Sequence, residues 1–559
     1  MRSRPAHAAH PMTRTSAPSR APLTPTSPSR WSTVPADLLA GVTVGVVALP
    51  LALAFGVSSG VGPAAGLVTA VVAGIVAAVF GGSRVQVSGP TGAMAVVLAP
   101  LVAVHGADAV PLVAIMAGLM VLALGAARLG RVVTFIPWPV VEGFTLGIAT
   151  IIFLQQVPAA VGVDAPAGQN PLVAAVDVIG RAGDTMLWTL GTVAVVVALM
   201  LVLPRLWAAL PASLVAIIVV TVVAELLDAP VARIGALPDS LPAPSIPGIT
   251  PALLGELAGP AAAVAALAAI ESLLSARVAA TMPSDTLTDE ARRYDPDREL
   301  VGQGLASVAA GLFGGMPATG AIARTAVNVR AGARTRLAAV VHGLVILVVI
   351  YAATGPVGQI PLAALSGVLM VTAVRMVDVR AVRTVLRSTR GSALVLVVTA
   401  IVTIAVDLVQ AIVVGLAVAA LLALRALSRA SVVHRQPLPG PAADGDEQIA
   451  LFRLDGSMFF GAADRIAETV QRDHGARVVV LRLSGLRLVD ATGAHALAEL
   501  VGTLERSGVT VLVKGVQEQH RSVLTRVGVL DELASEQHLF EDLDAAIAHA
   551  RDHVARPRP

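Results

Sequence analysis

From Pro35 to about residue 424 the chain is a succession of apolar stretches, each near the roughly 20 residues an α-helix needs to cross a bilayer. No other feature narrows the fold so far, because a backbone inside hydrocarbon must satisfy its own polar groups, and only helices and closed barrels do so. The stretches run over 36–55, 63–80, 111–127, 132–157, 185–203, 209–227, 259–280, 336–354, 361–374, 392–406 and 408–424, with shorter pieces at 88–104, 300–314 and 319–331. Together they predict about fourteen helical segments. Charged residues make up 14% of the chain, against roughly 25% in soluble domains, and they concentrate in the last part of it. The expected organisation is a disordered tail rich in Arg, Pro, Ser and Thr over 1–30, a membrane domain over 31–430, a linker over 431–446 and a small soluble domain over 447–555.

Cysteine is absent, which excludes disulfides and thiolate metal or redox sites. A net charge of +3 and 3% aromatic residues argue against a nucleic-acid partner, which would need basic surface and stacking platforms. Arginines beside short loops collect on the cytoplasmic side of a membrane. With all segments counted as crossings and the N-terminus inside, Arg84, Arg128, Arg205, Arg277, Arg330, Arg380 and Arg425 fall on the inner side, while Arg181 and Arg233 fall outside. A shift of one crossing would scramble that partition. The expected location is the cell's inner (plasma) membrane, with both termini and the tail domain in the cytoplasm.

A weak internal repeat links 74–94 with 306–322. In the first copy Phe80-Gly81-Gly82 leads to Thr91-Gly92-Ala93-Met94; in the second Phe313-Gly314-Gly315 leads to Thr319-Gly320-Ala321-Ile322. Seven crossings lie between them, so the copies are oppositely oriented, and short Gly/Pro-interrupted segments in inverted halves point to a transporter's midplane site. Chance matching of Ala- and Gly-rich helices is the alternative. If the repeat is real, two half-helices begin near the midplane and aim their N-terminal amides at one point, which attracts an anion.

Few ionisable residues lie inside the spans, where each costs roughly 2.5–3.5 kcal/mol. Glu271 is mid-segment with Ser275 one turn later on the same face; it reads as a carrier of a proton or cation, or as an interhelical hydrogen-bonding group. Arg324 lies one turn into the second short segment, adding its charge to the helix end or anchoring an inner loop. Glu142 reads as structural, and His105, His342 and Asp407 as interface residues near segment ends. Gly56-Val57-Ser58-Ser59-Gly60 fits the nucleophile-elbow pattern without its strand–turn–helix context. Gly41 and Gly45 form a small-xxx-small pair explained by helix packing. With no catalytic constellation, no enzyme activity or resident cofactor is expected, and no metal beyond a sodium ion at Glu271.

The tail alternates strands at 448–454, 477–483 and 509–513 with helices at 462–473, 491–507, 516–526 and 541–554, a small α/β sandwich. Asp490 is placed to cap the helix that follows, with regulation at Asp490 or Thr492 as the alternative role.

The order Ala48-Leu-Pro-Leu-Ala-Leu-Ala-Phe55-Gly, Gly89-Pro-Thr-Gly-Ala-Met94, Pro139-Val-Val-Glu-Gly-Phe144 and Pro317-Ala-Thr-Gly-Ala-Ile-Ala-Arg324-Thr, followed by such a tail, resembles the SulP (sulfate permease) anion transporter family with a cytoplasmic STAS domain. The resemblance implies a seven-plus-seven inverted repeat divided into core and gate domains. It also implies an anion site lined by Phe55, Thr91, Gly92, Ala93, Ala321, Ala323 and Arg324, coupling through Glu271 to H+ or Na+, with Ser275 as a supporting ligand if the ion is sodium, and a homodimer. Leu51 stands where many animal and plant members carry a polar residue, which brings the chain nearer to bacterial bicarbonate- and dicarboxylate-type relatives. Ala491 replaces the serine phosphorylated in STAS-fold anti-sigma-factor antagonists. The reading is secondary active transport of a small anion (sulfate, bicarbonate or a dicarboxylate) by an elevator-like movement. Its alternatives are an uncoupled exchanger or channel, and a signalling scaffold with a regulatory protein on the STAS domain.

Overall fold

The computed structural model describes residues 30–131, 136–163, 170–181, 183–207, 210–282, 287–406, 408–429, 432–458, 468–470 and 475–556. The expected disordered tail, except Arg30, lies outside these residues, as do Asp407 and most of the helix expected over 462–473. Two compact units result: Met1–Val133, Gln155–Gln169 and Val173–Val371 form one, and Thr134–Leu154, Asn170–Leu172 and Thr372–Pro559 the other.

The helices in chain order are α1 (Arg30–Ser58), α2 (Pro63–Phe80), α3 (Gly92–His105), α4 (Val110–Ala126), α5 (Trp138–Val161), α6 (Pro171–Asp177), α7 (Met186–Leu206), α8 (Ala212–Leu226), α9 (Pro251–Thr281), α10 (Asp289–Arg292), α11 (Pro296–Leu312), α12 (Ile322–Arg330), α13 (Arg336–Ala352), α14 (Thr354–Gly358), α15 (Leu362–Met376), α16 (Val379–Ser388), α17 (Arg390–Ala405) and α18 (Leu408–Arg429). Every expected apolar segment is found as a helix, and eight helices among the described residues are long and apolar enough to cross a membrane.

Two expected segments are more than helices. The piece at 88–104 opens with a two-residue strand, β1 (Ser88–Gly89), and the piece at 319–331 with β2 (Thr319–Gly320). They pair antiparallel, Ser88 opposite Gly320 and Gly89 opposite Thr319. Capping sets other boundaries: Thr250 accepts from Leu253 N–H and starts α9 eight residues earlier than hydropathy alone indicates. Asp295 likewise starts α11 through Asp297 and Arg298 N–H.

The first unit is held by close helix packing at small residues. A Cβ on Gly66 would stand 2.0 Å from the Ala52 carbonyl oxygen, and one on Gly302 2.5 Å from Gly81 Cα. Gly41 and Gly45 lie against Ala338 and Val345 of α13, so that pair is indeed a packing motif. Ser59, from the discarded elbow pattern, donates to the Gly56 carbonyl at the end of α1. Buried polar residues secure the turns. Asp37 accepts from Arg334 N–H, Thr335 N–H and the Thr335 hydroxyl at 2.7, 3.0 and 2.7 Å, so α1 holds Thr335, the residue that caps α13. Glu299 accepts from Gly82 and Ser83 N–H, both at 2.8 Å, and from Gln303. His342 was expected at an interface but is fully buried against Gly74, because it falls on the inner face of α13.

In the second unit α17 packs on α18 and α5 reaches α17 through glycine: a Cβ on Gly143 would meet the Leu396 carbonyl at 2.4 Å. The soluble part is a five-stranded sheet, β3 (Val432–Gln436), β4 (Ile449–Met458), β5 (Val478–Val489), β6 (Thr510–Lys514) and β7 (Leu539–Phe540), in that spatial order. All neighbours are parallel except β3 with β4. Residues 432–436 of the expected linker are thus an edge strand, held by its ladder and largely exposed, so no apolar alternation announced it. Around the sheet lie α19 (Ala491–Arg506), α20 (Glu518–Val527) and α21 (Leu543–Ala555). Phe452, Leu481, Leu497 and Val511 fill one core, while Leu451, Val480, Leu512 and Ala546 fill the other, so helices cover both sheet faces. Asp490 caps α19, accepting from Gly493 N–H at 2.7 Å.

Candidate functional site

Helices α3 and α12 are 14 and 9 residues long, or about 21 and 14 Å at 1.5 Å per residue, too short to cross a hydrocarbon layer of roughly 30 Å. Both start where β1 and β2 pair, so their first turns open from one small crossing of backbone. Ala321 N–H donates to the Val87 carbonyl at 2.9 Å, and Val87 N–H to the Thr325 hydroxyl at 3.0 Å, closing the crossing on both sides. The non-helical backbone is therefore satisfied within protein, as the membrane interior demands. The first amides of each half-helix have no partner inside their own helix and carry its positive dipole end.

Helix α9 runs beside this crossing and packs against α3, α12 and β2. From it Glu271 places one carboxylate oxygen, Oε2, against two hydroxyls: Thr91 donates at 3.0 Å and Thr319 at 2.9 Å. The two threonine oxygens are 3.5 Å apart. Thr91 is also the N-cap of α3, accepting from Met94 N–H, while Thr319 belongs to β2. Both threonines are buried and Glu271 is half-buried. One residue further along α9, the Ser272 hydroxyl accepts from Gly320 N–H at 3.0 Å, and Gln86 donates to the Ser272 carbonyl at 3.2 Å.

Arg324 is 2% exposed. Its Nη2 donates to the Pro90 carbonyl, and its Nη1 is buried with no hydrogen-bond partner among the described residues. A Cβ on Gly89, which has φ +152°, would come within 2.7 Å of that Nη1. The residue before Pro90 must therefore be glycine for the guanidinium to reach under the start of α3. One buried positive charge thereby joins both half-helix starts.

The expected site residues divide accordingly. Thr91, Glu271 and Arg324 converge on the crossing through hydrogen bonds. Gly92, Ala93 and Ala321 are buried in the first turns of α3 and α12 or just before them, Ala323 is exposed one residue before Arg324, and Phe55 is buried on α1, which packs against both half-helices. Ser275 points elsewhere: it is buried and donates to Thr325 at 3.3 Å. Glu142 is held within its own helix by Trp138 Nε1 at 2.8 Å. Asp490 acts as a cap, and Thr492 is exposed on the first turn of α19. Thr319 was the residue missed, although the Thr-Gly-Ala repeat had marked it. That repeat is out of register with the elements, since Thr91 caps its helix while Thr319 stands two residues ahead of the N-cap Ala321. What recurs is the order helix, short strand, half-helix, and antiparallel pairing of the two strands is what an inverted pair requires.

The sequence model of the sulfate permease family matches residues 35–399, and that of the STAS domain matches residues 440–546. The chain is 33% identical over 519 residues to the putative sulfate transporter YvdB of Bacillus subtilis, covering 91% of this chain and 96% of the relative. It is 31% identical over 547 residues to the bicarbonate transporter BicA of Synechocystis, covering 92% and 94%. Among solved structures, the murine Solute Carrier 26 family member A9 anion transporter in its inward-facing state matches with a TM-score of 0.79 at 16% identity, covering 93% of this chain and 92% of that one. At that identity the likeness is one of fold.

Proposed function

The chain belongs to the sulfate permease family as a multi-pass membrane protein, and on that premise we propose that it is a secondary active transporter of a small anion, coupled through Glu271 to a proton or a sodium ion. The observation that carries this reading is the carboxylate of Glu271 held by one hydroxyl from each half of the crossing, Thr91 and Thr319. An anion drawn to the half-helix amides and to the charge of Arg324 meets a negative charge at Glu271. Loading that carboxylate with a proton or sodium removes the repulsion, so anion and cation bind better together than singly, and that differential affinity couples their fluxes. Because Thr91 caps α3, the state of Glu271 is communicated directly to the amides that face the anion. Arg324, bonded to the Pro90 carbonyl, acts as fixed field behind those amides.

The anion class is bicarbonate, sulfate or a dicarboxylate, in keeping with relatives named for bicarbonate and sulfate; Leu51 leans toward the first and last. Movement is elevator-like, supported by the close packing that makes α1, α2, α11 and α13 a stiff body around the site. The working form is a homodimer in the plasma membrane with both termini cytoplasmic and the STAS domain regulating or assembling it.

The test is uptake of labelled bicarbonate, sulfate and fumarate into proteoliposomes under an imposed proton or sodium gradient, with Glu271→Gln alongside. Accumulation of one anion driven by one gradient and lost in the variant supports the proposal. Gradient-independent flux, unchanged in the variant, overturns coupling and leaves exchange or channel activity. Absence of flux for every anion moves the function to the STAS domain.

A further inference from the structure

The soluble domain contains a cluster that anion transport does not use. His538 ends the short turn Glu536–His538 just before β7, and His549 and His553 stand one turn apart on α21. Their ring centroids are 5.5, 5.3 and 4.9 Å apart, and one nitrogen from each ring lies within 4.8 Å of the others. The arrangement is built from both sides. Asp542 caps α21 through Ala545 N–H at 3.0 Å, Ala546 and Ala550 bury one stripe of the helix, and Arg551 locks to Asp446 through two 2.8 Å bonds. The remaining stripe, with His549 and His553, is thereby turned to His538.

Two of the ring nitrogens are buried without a hydrogen-bond partner among the described residues, Nδ1 of His538 and Nε2 of His549, and His538 is 5% exposed. Buried imidazole nitrogens are ordinarily paired, and an orphan of this kind asks for a water or an ion. Three imidazoles with no carboxylate or thiolate among them suit zinc and its transition-metal neighbours, not magnesium or calcium. An i, i+4 histidine pair on a helix plus a third ligand from elsewhere is a common zinc arrangement. Tetrahedral bonds of about 2.0–2.1 Å place ligand nitrogens about 3.4 Å apart, so the rings need to close by at most about 1.4 Å, within reach of side-chain rotation. His553 is half-buried, leaving a side open for water as fourth ligand.

We propose that His538, His549 and His553 form a zinc site that pins the C-terminal helix α21 to the edge strand β7 of the STAS domain. A bound ion would make the stability of this edge, and whatever docks on it, responsive to zinc.

The experiment uses the full chain in detergent, stripped with a chelator and dialysed against zinc chloride, with metal content and melting temperature as readouts. The expected result is one zinc per chain and a higher melting temperature, with affinity reduced at least about tenfold in His549→Gln/His553→Gln. Cobalt(II) in place of zinc should give the intense visible bands of a tetrahedral site. Zinc binding equal in the double variant, or none in the wild type at micromolar free zinc, or a weak octahedral cobalt spectrum, overturns the site in favour of a water-filled histidine cluster. Where the double variant does not fold, His553→Gln alone and the wild-type cobalt spectrum decide.

Discussion

At the scale of single residues, the candidate site is built from hydroxyls as much as from charges. Thr91 and Thr319 donate to the same oxygen of Glu271 from opposite halves of the crossing, and a hydrogen bond to a charged group contributes about 1.5–3 kcal/mol. Thr319→Val and Thr91→Val should therefore each weaken coupled uptake about tenfold or more, while Thr492→Val should leave it unchanged; initial rates in proteoliposomes check all three. Glu271 and Arg324 were legible from the letters because charge is rare and costly in a span. Thr319 was not singled out, because a threonine in an apolar segment is unremarkable until the carboxylate it meets is known. Ser275 was assigned by helical periodicity, and that face proved to be divided: Glu271 meets the two threonines of the crossing while Ser275 turns to Thr325. Asp37 makes the same point from the structural side. Asp37→Ala removes three bonds that start α13 and should cost about 2 kcal/mol, at the upper end for a lost cap, seen as a lower melting temperature in detergent with the substrate preference unchanged.

At the scale of elements, glycine decides how closely the helices approach. A Cβ at Gly82 would stand 2.0 Å from the Asp295 carbonyl oxygen, where Glu299 gathers the turn after α2. Gly82→Ala should abolish a monodisperse peak in size-exclusion chromatography. Gly255, within α9, has nothing among the described residues within 4 Å of such a Cβ; Gly255→Ala should be neutral or stabilising by up to about 1 kcal/mol, measured by the same melting assay. Helix positions were readable because hydropathy reports burial in lipid residue by residue. The short strands β1 and β2 were not, since two residues carry no periodicity and only their mutual pairing makes them strands.

At the scale of the molecule, the chain joins a helical membrane domain to a five-stranded STAS domain whose first strand lies outside the segment that looked like a domain. A tail fragment beginning at 431 should melt at least about 4 °C above one beginning at 447, the shift that about 1 kcal/mol produces in a small domain, because the second leaves the edge of β4 unpaired; thermal unfolding of the two fragments tests it. Sequence alone determined the positions and order of the apolar helices and the α/β character of the tail, since each follows from local hydropathy and local periodicity. It also marked Glu271 and Arg324 as residues that need a reason to be buried. Tertiary structure alone decided that β1 and β2 pair antiparallel where the two half-helices start, that Thr319 completes the pair around Glu271, that Val432–Gln436 is a strand, and that three histidines from two elements meet. Those features depend on partners far away in the chain, and a hydrogen bond between distant residues leaves no local pattern by which either residue announces the other.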